Sequence, residues 1–249
     1  GDIFSNLDMA DMLAFHRAKG AKATIALTWV DNPCAYGVVE TDDNKRVKRF
    51  IEKPSPDCIT TNWINAGTYI LEPEVLKHVP ANSHYMFERG LFPLLLELGE
   101  PVYGYPFRGY WLDMGTPENY LQLNCNLLLS KARSNLFGSL NQDTILVGEK
   151  CEAHPKAKIQ APAIIGSNVK ISKGVYLKGP VVIGPDCHLG EGTVVERAVL
   201  WKGVSIGTSA VLKQCIIGSY TTIGNNVPVI NCAMVGDHMR TFNNVGTGL

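Results

Sequence analysis

Five short strings in the first half of the chain hold side chains that could do chemistry. They are Gly1-Asp2, Tyr36-Gly37-Val38-Val39, Glu52-Lys53-Pro54, Asn65-Ala66-Gly67 and Trp111-Leu112-Asp113-Met114-Gly115-Thr116. Carboxylates such as Asp2 and Asp113 are hard oxygen donors suited to Mg²⁺. A lysine such as Lys53 is a point charge for an anion, and Glu52 beside it can accept from hydroxyls. Asn65 and the main chain around Gly67 offer further hydrogen bonds to hydroxyls, and Gly37 leaves the backbone open to close approach. Plainer roles stand beside each of these. Asp2 could be a terminal residue, Asp113 a turn or cap, Glu52-Lys53 a solvated pair, Asn65 a bulge residue, and Tyr36 and Trp111 core aromatics. The Asp42-Asp43-Asn44-Lys45 run is turn chemistry, not a metal loop. No C-x-x-C or other zinc spacing occurs among the seven cysteines, so free, mostly buried thiols in a reducing compartment are expected.

The elements that must position these residues read as alternating helix and strand. Helical spacing covers 7–18, and strands are expected at 23–30, 36–40, 47–52, 66–71, 102–106 and 110–112. Pro73 starts a short helix, 87–98 is helical, and Thr116 caps a helix that begins at Pro117 and runs to about Lys131. Such alternation implies an α/β layer with a mostly parallel sheet.

The second half changes period. Apolar anchors recur every six residues at Val147, Ala153, Ile159, Ile165, Ile171, Leu177, Ile183, Leu189 and Val195. Two steps shorten to five, Val195 to Leu200 and Leu212 to Ile217. The six-step otherwise continues through Ile206, Ile223, Val229 and Val235. A small or β-branched residue follows four positions after most anchors, and Gly follows many of them directly. Hexads of this kind mean a parallel β-helix of three hexads per rung, with anchors pointing inward and glycines relieving the corners. The expected organisation is 1–131, a linker at 132–144, and the β-helix at 145–249.

Charge and composition exclude other classes. Lys plus Arg and Asp plus Glu number 23 each, so the net charge is zero, which argues against a nucleic-acid binder. No apolar run reaches a membrane-spanning length, and the N-terminus lacks a signal-peptide pattern. A cytoplasmic location is expected.

Taken together and in this order, the five strings resemble the sugar-1-phosphate nucleotidyltransferases. The stretches FERGLFPLLLE and GYWLDMGTPENYL, with the hexad tail, are most like the mannose-1-phosphate guanylyltransferase branch. The resemblance implies a partial Rossmann-like nucleotidyltransferase domain followed by a left-handed parallel β-helix of hexapeptide repeats. It implies transfer of a nucleotidyl group from a nucleoside triphosphate to a sugar 1-phosphate, GTP with mannose 1-phosphate being the preferred pair. Uridylyl, thymidylyl or adenylyl transfer to glucose 1-phosphate is the alternative, as is a non-catalytic regulatory subunit. Asp2, Asp113 and Lys53 carry over as catalytic, with Asp2 and Asp113 as ligands of Mg²⁺. Tyr36, Gly37, Glu52, Asn65, Gly67 and Trp111 carry over as substrate-binding. The family's Gly-rich G-x-G-T-R-L loop is absent from this sequence, so the chain reads as the C-terminal part of a longer enzyme, inactive by itself. Homo-oligomerisation through the β-helix is expected. A hexad acyltransferase using His154, His188 or His238 is a rival, with solvent-facing corners as the plain role of each histidine.

Overall fold

The computed structural model describes residues 2–132, 140–236 and 238–241. The chain forms two compact units, Gly1–Leu112 and Asp113–Leu249. Most of the expected linker at 132–144 lies outside the described residues.

The first unit starts with β1 (Ile3–Ser5) and helix α1 (Met9–Lys19). Asp8 caps α1 by accepting from the Ala10 and Asp11 amides, and Gly20 closes it in the left-handed conformation. Strand β2 (Ala23–Trp29) is buried along all but its last residue. Strands β3 (Gly37–Thr41) and β4 (Val47–Glu52) form a hairpin. Its turn is fixed by Asp42, whose side chain accepts the Arg46 amide at 2.9 Å. Strand β5 (Trp63–Leu71), helix α2 (Leu91–Glu97), β6 (Val102–Pro106) and β7 (Trp111–Asp113) follow. The main sheet has the order β4-β3-β5-β2-β6, and β1 pairs with β7.

This sheet is not mostly parallel, contrary to the expectation from alternation. Only β2 and β6 run parallel, while β2–β5, β3–β4 and β3–β5 are antiparallel. A tight turn joins β3 to β4 and forces antiparallel pairing, whereas β6 returns parallel to β2 after the α2 crossover. Helix α2 also starts later than the sequence suggests. Residues 86–90 form a turn closed by the Gly90 amide on the Met86 carbonyl at 2.9 Å, and the helix begins only at Leu91. Pro73–His78 is a 3₁₀ helix. The core packs Leu91, Phe92 and Leu95 against Ile25, Leu27, Val39 and Val102.

The second unit begins with α3 (Pro117–Leu128), capped by the Thr116 hydroxyl on the Asn119 amide at 3.2 Å. Its apolar face, Leu121 and Cys125, packs on Val199 and Ile216 of the β-solenoid. That burial groups α3 with the solenoid, although its sequence reads as a continuation of the first region.

The hexads form stacked parallel ladders. Ile165 pairs with Ile183, Ile183 with Leu200, Leu200 with Ile217 and Ile217 with Met234. The first of these steps is 18 residues and the next three are 17. Most residues in the small slot, among them Val169, Val175, Cys187, Thr193, Val204, Ala210 and Thr221, are fully buried, while Cys151, Ala157 and Val227 are partly buried. All seven cysteines are free thiols, and burial pushes Cys187 up to about 11.

Three expectations change here. Val235 is 51% exposed, and Met234 takes the inward place instead. The step from Val229 is therefore a third five-residue step. At the opposite end, Val147 is 55% exposed and Ala153 is also exposed, because the first rung has a neighbour on one side only. The glycines at 148, 166, 184, 190 and 207 are not at positive φ, and it is the backbone of the next rung that requires them. At Gly190, an added Cβ would lie 2.6 Å from the Gly207 carbonyl carbon and 2.7 Å from the Ile206 oxygen of the next rung. Gly is needed there for close approach of two backbones that cannot yield.

Candidate functional site

The sequence-predicted sugar-binding residues gather in the first unit through a chain of direct contacts. Gly37 and Glu52 are paired across β3 and β4. A Cβ at Gly37 would lie 2.8 Å from both Glu52 Oε2 and Phe50 Cζ. Glycine therefore makes room for the Glu52 carboxylate, a reason the sequence does not reveal. Lys53 follows at φ 48, with its amide donating to the Tyr36 carbonyl at 3.1 Å. A left-handed lysine costs about 1–2 kcal/mol. The kink ends β4 and leaves the Lys53 side chain exposed.

Tyr36 meets Trp111 edge to face, with ring centroids 5.5 Å apart. The Trp111 indole donates to the Ala66 carbonyl at 3.0 Å, which fixes the ring against β5. Beneath it lies a small core of Met12, Ala26, Ala66 and Phe107. Both aromatics thus have packing roles, and Trp111 also borders the segment Asn65–Gly67.

Asn65 sits where β5 bulges against β2. Leu27 pairs with Asn65 and Ile25 with Tyr69, so the register shifts between them. Gly67 takes φ +73 within the bulge. The Asn65 amide is held at both ends: Oδ1 accepts the Gly67 N–H at 2.9 Å, and Nδ2 donates to the Tyr69 hydroxyl at 2.7 Å. Tyr69 in turn donates to Glu88 Oε1 at 2.7 Å. A carboxylate only accepts, so the Tyr69 proton must point at Glu88, and the order of the Asn65 amide is fixed without ambiguity. Burial raises Tyr69 well above the usual phenol range; the Asn65 bond opposes this, and Glu88 and then Glu52 add to it. The hydroxyl therefore stays protonated.

Tyr69 and Glu88 are the residues that sequence reasoning missed. One signal could have found Tyr69, a hydrogen-bonding aromatic four residues beyond Asn65 in the same strand. Nothing local points from Glu88 to Tyr69, because the pair is 19 residues apart. Tyr69→Phe should leave both Asn65 Nδ2 and Glu88 short of a partner and cost about 1–2 kcal/mol. A chemical melt of the variant reads that loss.

The two aspartates are placed differently. Asp2 is exposed just before β1, and Gly1 lies outside the described residues. Asp113 ends β7, where its Oδ1 accepts the Gly115 N–H at 2.9 Å and its carbonyl accepts from Asn119 at 2.7 Å. Asp113 therefore does shape the turn into α3. Among the described residues no group of three or more His, Cys, Asp or Glu side chains could hold a metal. Two carboxylates still suit Mg²⁺, which keeps several waters and takes one or two protein carboxylates plus substrate phosphates.

His154, His188 and His238 are exposed. His154 accepts the Lys156 amide at 3.0 Å, and His238 stacks on Tyr220. These are the solvent-facing positions that their plain role describes. Among the described residues no helix is long and apolar enough to cross a membrane.

Comparison with known proteins adds to this geometry. The model of the family described as nucleotidyl transferase matches residues 1–130, and that of the GMPPB C-terminal domain matches residues 159–246. The chain is 33% identical over 215 residues to a mannose-1-phosphate guanylyltransferase of Mycobacterium tuberculosis, covering 86% of this chain and 54% of that protein. It is 32% identical over 225 residues to a UTP–glucose-1-phosphate uridylyltransferase of Synechocystis sp., covering 88% and 58%. A glucose-1-phosphate adenylyltransferase of Desulforamulus reducens is 29% identical over 243 residues, covering 91% and 58%. The chain spans about three fifths of the length of the curated relatives it matches.

Proposed function

Because the chain belongs to the nucleotidyl transferase family, we propose that its first unit binds a sugar 1-phosphate for nucleotidyl transfer. In that reaction a phosphate oxygen of the sugar 1-phosphate forms a bond to the α-phosphorus of a nucleoside triphosphate. The bond from that phosphorus to the bridging oxygen breaks, and pyrophosphate leaves with the electron pair. GTP and mannose 1-phosphate are the preferred pair. Mannose-1-phosphate guanylyltransferases recur among the relatives, and some match 96–99% of this chain. Glucose 1-phosphate with UTP, dTTP or ATP is the alternative, favoured by the uridylyl- and adenylyltransferase relatives. Turnover with a panel of triphosphates separates these readings. In protein that also carries the family's Gly-rich loop, binding of the sugar phosphate with turnover of none of them marks the regulatory subunit.

One observation carries the proposal: Tyr36, Gly37, Glu52, Lys53, Asn65, Gly67 and Trp111 are tied into a single cluster. Two anions must approach each other in this reaction, so charge neutralisation and alignment dominate. Lys53 would set its ammonium against the sugar phosphate. Glu52 would accept from hydroxyls, and the pre-set Asn65 amide would offer one donor and one acceptor in fixed order. Trp111 would wall the sugar. Mg²⁺, held by Asp2 and Asp113 through hard carboxylate oxygens, would supply further neutralisation of phosphate charge. Association through the β-helix belongs to the same proposal, and light scattering reads it.

Lys53→Ala should raise the KM for the sugar 1-phosphate about tenfold or more, the weight of one charge-assisted contact. The nucleotide KM should stay within about twofold on the same grounds. A shift in the nucleotide KM alone would remove Lys53 from the sugar-phosphate subsite.

A further inference from the structure

The second unit holds a recess of mixed polar and apolar lining that the proposed transfer does not use. Arg197, Gln214 and Asn231 stand at the same place in three successive rungs. The flanking residues fix this register: Glu196 pairs with Lys213 and Lys213 with Ile230, while Ala198 pairs with Cys215 and Cys215 with Cys232. All three residues take left-handed backbone, at φ 46, 47 and 51. They occupy the corner that the five-residue steps tighten, and they form one wall of a recess of about 320 Å³. Helix α3 forms the opposite wall with Leu121 and Gln122, and Ile216 adds apolar surface.

Arg197 is half-buried. Its Nη2 donates to Gln122 Oε1 at 2.7 Å, a neutral partner. Among the described residues no carboxylate lies within ion-pair distance of it, although such pairs hold other cations of the chain. A guanidinium carries five N–H donors in a fork that matches phosphate oxygens. Arg197, Gln214 and Asn231, with Glu196 and Lys213, also line a second recess. There Glu196 serves two lysines at once, Lys178 at 2.8 Å and Lys213 at 3.6 Å. The charged residues lining the first recess are thus Arg197 and Glu118, and those lining the second are Arg197, Lys213 and Glu196.

We propose that this recess is a second binding site, for a small phosphorylated sugar. Its phosphoryl group pairs with Arg197, and its hydroxyls are read by the amides of Gln214 and Asn231 and by Glu118. A cation without a carboxylate, beside amides and one carboxylate, fits a ligand that is anionic at one end and hydroxylated at the other. The volume suits a molecule of that size.

Cys232 lines the recess and is exposed, so it reports on occupancy. The probe is mannose 6-phosphate, whose anomeric oxygen carries no phosphoryl group and cannot enter the proposed transfer. The result therefore does not depend on the reading of the first unit. At a concentration about ten times its dissociation constant, alkylation of Cys232 by iodoacetamide should slow about tenfold, read by peptide mass spectrometry. Arg197→Gln should abolish the protection. It should also fold, since Gln214 already holds the same backbone conformation one rung away, and a thermal melt checks this. Unprotected Cys232 at tens of millimolar probe, or equal protection in folded Arg197→Gln, overturns the site. Equal protection by inorganic phosphate overturns the reading of the hydroxyls, and protection by unphosphorylated mannose overturns the role of Arg197.

Discussion

Asp113→Asn should lower nucleotidyl transfer by about a thousandfold, some 4 kcal/mol of transition-state stabilisation, while leaving the melting temperature nearly unchanged. The choice of Asn separates the two roles of this residue. Its side-chain oxygen can still accept the Gly115 N–H that Asp113 Oδ1 accepts at 2.9 Å, so the turn into α3 survives. The main-chain bond from Asn119 to the residue 113 carbonyl is untouched. Only the negative charge and the second hard oxygen are lost, and these are what a divalent cation needs. Asp113→Ala, by contrast, removes both charge and turn contact and should also destabilise the fold. Pyrophosphate release by catalytically competent protein, with a thermal melt alongside, reads both. If Asp113→Asn turns over normally, the residue is a turn former and the metal assignment falls.

Leu212→Ala should destabilise the solenoid by about 3 kcal/mol, enough to lower its melting temperature by roughly 6–12 °C. Leu212 is fully buried and stacks in register between Val195 and Val229 on neighbouring strands. A cavity there cannot collapse without moving both rungs, because the backbones are held at hydrogen-bond spacing on either side. The same measurement tests the register of the last rung. Met234→Ala should cost more than Val235→Ala, since Met234 is 9% exposed and Val235 51%. A surface valine should change stability by no more than about 0.5 kcal/mol. An unbroken six-residue period predicts the opposite order.

The solenoid was legible because one fact repeats. Each inward residue must be apolar, and the spacing from Ile159 to Ile223 shows it. What the spacing could not show is where a rung loses a residue when the anchors at 234 and 235 are both apolar. Pairing direction in the first unit was hidden for a different reason. Alternating helix and strand signals do not reveal which connections are hairpins and which are crossovers, and β5 runs antiparallel to both its neighbours. The site strings were legible as local patterns, yet their mutual support was not. Gly37 admits Glu52, Trp111 holds Ala66, and Tyr69 with Glu88 sets the Asn65 amide. All of those contacts except the Asn65–Tyr69 bond, which lies within β5, join residues from different strands or turns, so no short window of sequence contains them. The plain role leaves room for the proposed chemical one: Asn65 shapes a bulge, and its amide is held in one orientation by doing so.

The central claim is that the Asn65–Gly67 segment, Lys53 and Trp111 bind one sugar 1-phosphate. Titrating isotope-labelled protein with mannose 1-phosphate and following amide and indole resonances tests it directly. Shifts should concentrate on the main chain at Lys53 and at Asn65–Gly67 and on the Trp111 indole N–H, and Lys53→Ala should weaken the apparent affinity about tenfold. Resonances in this cluster that stay still while the ligand binds elsewhere, or binding indifferent to loss of the Lys53 charge, would contradict the account.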